Sequence, residues 1–156
     1  MREIQVHYVV GFLFSTDCSC GKLCARVALI RKNRPQWQEG LWNGIGGKIE
    51  PNEAPGDAMR REFREETGID FEEWQLFLVG SGKTEVLHFY VGLVKQDHLR
   101  TVRTTTDEKV DVFPIDSACS TGTRHFPTVP NLKWELHLAL AWLADPSGVF
   151  RLTYPT

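Results

Sequence analysis

The sequence predicts an α/β fold in which a mixed β-sheet lies between helices on both of its faces. Runs of β-branched and aromatic residues predict several strands, and two segments of the 156-residue chain predict helices. The predicted order is β, β, loop, α, β, β, β, α, and strands interrupted in this way favour a sheet covered by helices. A chain of this length fits one domain, which we expect to span residues 1–156.

The first half of the chain predicts two strands, a long loop and a helix. Residues 4–14 and 24–31 predict strands joined by a turn of small and polar residues. Residues 33–52 contain four glycines and two prolines, which predict a loop with short extended pieces. Residues 54–67 predict a helix, because Pro55 suits its first turn and Gly68 can adopt the left-handed conformation that ends a helix.

The second half predicts three further strands and a second helix. Residues 74–79, 85–94 and 110–115 are rich in strand-forming residues. Residues 131–143 have the spacing of an amphipathic helix, with apolar side chains at Leu132, Leu136, Leu140 and Leu143.

Composition and charge exclude several classes of protein. A formal net charge of −2 argues against binding to long nucleic acid, which requires a strongly basic face. No apolar run approaches the ~20 residues of a membrane span. The first residues lack the basic and apolar pattern of a secretory signal. We therefore expect a cytoplasmic monomer or homodimer that binds neither long nucleic acid nor membranes.

Three of the four cysteines, Cys18, Cys20 and Cys24, form a tight cluster in the predicted turn. Zinc sites usually have Cys-x-x-Cys spacing and a fourth ligand, and neither is evident nearby. The cluster is either a metal-binding site or three reduced cysteines at a hairpin tip, and the second interpretation is favoured.

Clustered acids and glycines mark residues 47–69 as the candidate site. The segment runs Gly47-Lys48-Ile49-Glu50-Pro51-Asn52-Glu53, then seven residues, then Arg61-Glu62-Phe63-Arg64-Glu65-Glu66-Thr67-Gly68-Ile69. At about 100° per residue, Glu62, Glu65 and Glu66 fall within roughly a 100° arc of the predicted helix, at the edge of its apolar face. Such carboxylates repel each other unless cations bind them. Their oxygens suit hard cations, so we expect Mg²⁺, with Mn²⁺ as the alternative.

This segment resembles the signature of the Nudix hydrolase family at every fixed position. The signature is Gly, five residues, Glu, seven residues, Arg-Glu, an apolar residue, any residue, Glu-Glu, any residue, Gly and an apolar residue. Seven fixed letters match by chance with a probability on the order of 10⁻⁸ per start position. The resemblance implies a Nudix-type α/β/α sandwich and a metal-dependent enzyme that cleaves phosphoanhydride bonds.

The resemblance also implies roles for individual residues. The implied metal ligands are the Gly46 carbonyl, Glu62, Glu65 and Glu66. Arg61 and Glu53 would pair and orient those ligands, so that a bound water can attack phosphorus. We expect Glu108, just before the strand predicted at 110–115, to join the metal site or act as the base, and Glu85 is a rival for that role. The implied catalytic residues are Glu53, Arg61, Glu62, Glu65 and Glu108.

Residues 41–48 are similar to the corresponding segment of the family branch that hydrolyses oxidised purine triphosphates such as 8-oxo-dGTP. The segment reads Leu41-Trp42-Asn43-Gly44-Ile45-Gly46-Gly47-Lys48. The resemblance implies that Asn43 reads the base edge, because an amide offers both a donor and an acceptor. Gly47 and Lys48 would lie at the phosphates. Asn131 is a further candidate base contact, and the candidate stacking residues are Trp37, Phe126 and Trp134.

Before its last helix the chain departs from that branch. It has Thr128-Val129-Pro130-Asn131 where the human oxidised-purine enzyme of that branch has a stacking tryptophan and a pair of aspartates. The leading prediction is a nucleoside triphosphate pyrophosphohydrolase that acts on a small nucleotide. An ADP-ribose or dinucleotide pyrophosphatase is the alternative within the family, and a non-catalytic nucleotide-sensing Nudix domain is the alternative from another class.

Overall fold

A computed structural model describes residues 5–16, 25–120 and 126–154. The strands of this part are β1 (Val6–Ser15), β2 (Arg26–Arg31), β3 (Trp42–Asn43), β4 (Ile45–Lys48), β5 (Gln75–Ser81), β6 (Glu85–Val94), β7 (Val110–Pro114) and β8 (Phe150–Thr153). The helices are α1 (Pro55–Thr67), α2 (Gln96–Leu99), α3 (Ile115–Cys119) and α4 (Leu132–Ala144), with one 3₁₀ turn at Gln36–Gln38. Cys18, Cys20 and Cys24 lie outside the described residues.

The strands form one mixed sheet, as predicted. Its order is β3-β2-β1-β6-β5-β8, while β4 pairs with β1 and β7 pairs with β2. β1 and β6 are parallel, in a register that runs from Val6 opposite Glu85 to Ser15 opposite Val94. β5 is antiparallel to β6, and β8 is parallel to β5.

Helices cover both faces of this sheet, which confirms the predicted sandwich. Along β1, Val9 and Leu13 belong to the core beneath α1, while Phe12 and Phe14 belong to the core beneath α4. A strand covered on both faces needs apolar residues at successive positions, and this explains why residues 9–14 are almost uninterrupted in their apolar character.

The boundaries of α1 agree with its local signals. Pro55 occupies the first turn, where its missing N–H costs nothing. Gly68 ends the helix in the left-handed conformation, with φ of 76°, which glycine adopts without steric strain. Ala58, Met59 and Phe63 are fully buried against the sheet, and this fixes which face of α1 carries the acidic side chains.

Three short elements were not predicted from the sequence. α2 has four residues and α3 has five, so neither is long enough to show a helical period. β8 is exposed along its whole length and exists because it pairs with β5. The predicted strand at 110–115 ends one residue early because Ile115 begins α3. Among the described residues, no helix is long and apolar enough to cross a membrane.

Candidate active site

The two glycines of β4 allow it to pack tightly between β1 and α1. In the antiparallel pairing of these strands, Val10 lies opposite Gly46 and Val9 lies opposite Gly47. A β-carbon at Gly46 would overlap the backbone carbonyl of Val9, whereas one at Gly47 would overlap the carboxylate of Glu62. The absence of a side chain at Gly47 therefore lets Glu62 lie directly against the backbone of β4.

Arg61 connects the helix to the loop and strand before it. Its Nε and Nη2 donate to the two oxygens of Glu53 at 2.7 and 3.0 Å, which is the contact implied by the sequence. Nη1 donates to Glu62 at 2.8 Å and to Glu65 at 3.3 Å, and Nη2 also donates to the carbonyl of Lys48 at 3.1 Å. The hydrogen bonds from Arg61 are the main reason that the pKa of Glu53 is lowered. Arg61 thus orients the acidic side chains of α1.

Glu62, Glu65 and Glu66 form what we call the acidic stripe of α1. The Glu62 side chain is 14% exposed and that of Glu65 is 53% exposed. Burial raises the pKa of Glu62 and of Glu66, and neighbouring carboxylates raise both further. Arg61 opposes this shift at Glu62, and a hydrogen bond of 2.7 Å from the Thr106 hydroxyl opposes it at Glu66.

Glu108 lies beside the acidic stripe, but both of its oxygens already have partners. One accepts a hydrogen bond from Lys32 Nζ and the other from the backbone N–H of Asn33, each at 2.7 Å. Glu108 is 3% exposed, and its charge contributes to the raised pKa of Glu66. Its role as metal ligand or base remains a prediction, since it must exchange a partner to take either role.

The donor atoms of the acidic stripe suit a divalent cation. Half-buried carboxylates that repel each other gain most from a hard cation, which prefers oxygen ligands. As they are now oriented, no three acidic, histidine or cysteine side chains among residues 5–16, 25–120 and 126–154 are grouped to hold a metal. Glu62 instead binds Arg61, and Glu66 binds Thr106. The residue types fit such an ion, and side-chain rotation is required to group them.

A cavity of about 610 Å³ opens beside β4 on the face of the sheet that α4 covers. Gly46 and Gly47 line it, so Gly47 contacts the cavity and the Glu62 carboxylate at once. The basic side chains of Lys32 and Arg34 line the cavity beyond the end of β2. The cavity is large enough for a nucleotide-sized ligand.

Most of the predicted substrate residues lie at this cavity. Asn43, Gly47 and Asn131 line it, whereas Lys48 is exposed and does not. Asn43 has both amide atoms engaged, since Nδ2 donates to Gln38 and Oδ1 accepts from the Gly44 N–H, at 3.0 and 2.7 Å.

Of the three candidate stacking residues, Trp37 alone lines the cavity, and it is 65% exposed. Phe126 packs in the α4 core, stacked on Trp42 with the ring centres 6.2 Å apart. Trp134 is 65% exposed and contacts Lys133.

The cavity also contains polar residues that sequence reasoning missed, namely Tyr8, Lys32, Arg34, Gln38, Glu135 and Tyr154. Glu135 follows Asn131 by four residues and so lies on the same helix face, a signal that the sequence contains. Tyr154 follows β8, whose pairing was not predictable from local pattern.

These features define the class of protein, an α/β sandwich in which an acidic helix and a glycine-rich strand border a ligand cavity. Residues 9–134 match the family model described as NUDIX domain. The chain belongs to the Nudix family.

Similar proteins agree with this family and fold. A CTP pyrophosphohydrolase of Escherichia coli is 42% identical over 45 residues, which are 29% of this chain and 33% of that protein. An 8-oxo-dGTP diphosphatase of Proteus vulgaris is 49% identical over 37 residues, which are 24% of this chain and 33% of that protein. The chain thus matches about a third of the length of these curated relatives. The NUDIX domain of Shewanella oneidensis NrtR, solved with ADP ribose, superposes with a TM-score of 0.73 at 16% identity, covering 90% of each chain.

Proposed function

We propose that the protein is a divalent-metal-dependent nucleoside triphosphate pyrophosphohydrolase. Water and a nucleoside triphosphate would give a nucleoside monophosphate and pyrophosphate. An oxidised purine nucleotide such as 8-oxo-dGTP is the first candidate substrate. The observation that carries the proposal is the position of Gly47, whose backbone contacts Glu62 on one side and the nucleotide-sized cavity on the other.

The similar proteins support this choice. One bears the name CTP pyrophosphohydrolase and the other the name 8-oxo-dGTP diphosphatase, so both names describe cleavage within a nucleoside triphosphate. The resemblance of residues 41–48 to the oxidised-purine branch of the family favours the second substrate, and Asn43 of this segment lines the cavity.

In this proposal, one group of residues would bind the metal and another group would contact the phosphates of the substrate. Glu62, Glu65, Glu66 and the Gly46 carbonyl would hold Mg²⁺ or Mn²⁺. Such an ion, when bound, neutralises phosphoryl oxygens and lowers the pKa of a bound water.

Arg61 contacts both Glu53 and Glu62, and through these contacts it would orient the metal ligands of the acidic stripe. Arg34 lines the cavity, and its guanidinium would have to exchange the carboxylate of Asp107 for phosphate oxygens in order to bind the substrate.

The test is a panel of nucleoside triphosphates, 8-oxo-dGTP, ADP-ribose and dinucleotides, assayed with Mg²⁺ and resolved by chromatography. We expect release of monophosphate and pyrophosphate from a triphosphate, loss of this activity in Glu65→Gln and Glu66→Gln, and full activity in Glu73→Gln. Glu73 is an exposed acid outside the cavity and makes a matched control.

The other outcomes separate the alternatives. Cleavage of ADP-ribose or a dinucleotide with no triphosphate activity would assign the protein to that branch of the family. Nucleotide binding without hydrolysis would indicate a sensing domain. Full activity in EDTA would remove the metal from the mechanism.

A further inference from the structure

The wall of the cavity contributed by α4 contains an acidic side chain that the proposed chemistry does not use. Asn131 and Glu135 are one helical turn apart, and both line the cavity. Leu132, Leu136 and Ala139 are buried on the adjacent side of α4 and hold the helix against the sheet. The Asn131 side chain makes no capping hydrogen bond to α4. Both polar side chains are therefore rigidly placed and available to a ligand.

Glu135 has no compensating partner in the part of the chain that the structure describes. Its side chain is mostly buried, and no hydrogen bond or ion pair to its carboxylate is present there. Burial raises its pKa to about 7. The carboxylate borders the cavity, so a ligand bound there could donate hydrogen bonds to it.

The charged surroundings of Glu135 contain acids rather than bases. Glu85, from the start of β6, and Tyr154, after β8, line the same cavity. The pKa of Tyr154 is raised, first by burial and then by the charges of Glu135 and Glu85. The basic residues of the cavity are paired elsewhere, Lys32 with Glu108 and Arg34 with Asp107. This region therefore repels phosphate and suits a group with N–H donors.

We propose that Glu135 is a specificity-determining residue that accepts a hydrogen bond from an exocyclic amino group of the substrate's base. This inference rests on the proposed function, because the base reaches α4 only when the phosphates lie at β4. Asn131, one turn earlier, would contact the remainder of the base edge. A base with a keto oxygen at the same position would place one acceptor against another and bind more weakly. The expected substrates are thus amino-bearing bases rather than their deaminated counterparts.

Binding of non-hydrolysable nucleotides tests this independently of catalysis. We would titrate α,β-methylene analogues of CTP and UTP, ATP and ITP, and GTP and XTP in the presence of Mg²⁺, by calorimetry. At about pH 8, Glu135 is mostly ionised and acts as an acceptor. We expect the amino member of at least one pair to bind about tenfold more tightly. In Glu135→Gln this ratio should fall to about threefold or less, because an amide can also donate to a keto oxygen.

Controls keep the outcomes distinct. Glu73→Gln should retain the wild-type ratio, and circular dichroism should show that Glu135→Gln is folded. Equal binding within every pair, an unchanged ratio in Glu135→Gln, or no binding at all would overturn the inference. A change limited to ribose against deoxyribose analogues would assign Glu135 to the sugar and would also overturn it. A lost amino preference in Glu135→Gln, together with no hydrolysis by the wild type, would support the inference while refuting the proposed function.

Discussion

Replacement of Arg61 by alanine should destabilise the protein and impair the site together. Arg61 is the donor for both oxygens of Glu53 and for Glu62, at distances between 2.7 and 3.0 Å. Its side chain is 24% exposed, against 16% for Glu53 and 14% for Glu62. Arg61→Ala would therefore leave two mostly buried carboxylates without their cation.

The size of the effect follows from this burial. Removal of one member of a buried ion pair costs about 3–5 kcal/mol, because the remaining charge is uncompensated. Partial exposure of Arg61 reduces this, and we expect a loss of about 2–4 kcal/mol in the free energy of unfolding. For a chain of this size, the melting temperature should fall by on the order of 10 °C. Activity should fall by about 10- to 100-fold, as expected when a residue that orients metal ligands is lost.

Urea unfolding and Mg²⁺-dependent hydrolysis would measure the two effects. Arg61→Lys keeps the charge but cannot bind both oxygens of Glu53 at once, so it should recover about half of the lost stability. Arg64→Ala is the matched control, since Arg64 is an exposed residue of the same helix. The double variant with Glu53→Ala should be less destabilised than the sum of the single variants, by about 1 kcal/mol or more. An Arg61→Ala protein no less stable than Arg64→Ala would refute the reasoning.

Three further substitutions test other parts of the site. Gly47→Ala should lower kcat with little loss of stability, because the added carbon overlaps the flexible end of the Glu62 side chain. A Gly47→Ala variant with the kcat of the wild type would show that the position of Glu62 against β4 is unimportant for activity. Glu108→Gln should lower kcat with Mg²⁺ by about 100-fold, as expected for loss of a general base. Reduced stability with unchanged kcat would instead show that Glu108 has only a structural role, through its contact with Lys32. Glu135→Gln should raise the free energy of unfolding relative to the wild type by more at pH 8 than at pH 4.5. Burial raises the pKa of Glu135 from 4.5 to about 7. Between these pH values the folded wild-type protein retains a proton that the unfolded chain has released. The free energy of unfolding of the wild type therefore falls as pH rises, by up to about 3 kcal/mol. An equal effect of Glu135→Gln in unfolding experiments at both pH values would contradict this.

Much of the fold was predictable because its signals are local. Pro55 and Gly68 mark the ends of α1 within a few residues of chain, and β6 begins and ends where its β-branched run predicts. The spacing of Glu62, Glu65 and Glu66 is enough to predict that they share one stripe of the helix, since a helical period depends only on neighbours along the chain. The family signature lies within this same short range.

The sequence alone therefore determined the family, the layered α/β architecture and the acidic helix beside a glycine-rich strand. The tertiary structure decided which residues meet across the sheet. Lys32 and Glu108 are 76 residues apart, and their pairing depends on β7 lying beside β2. Glu135 and Tyr154 share a cavity because β8 joins the edge of the sheet next to β5. Such encounters depend on strand order and register, which short-range periodicity does not contain.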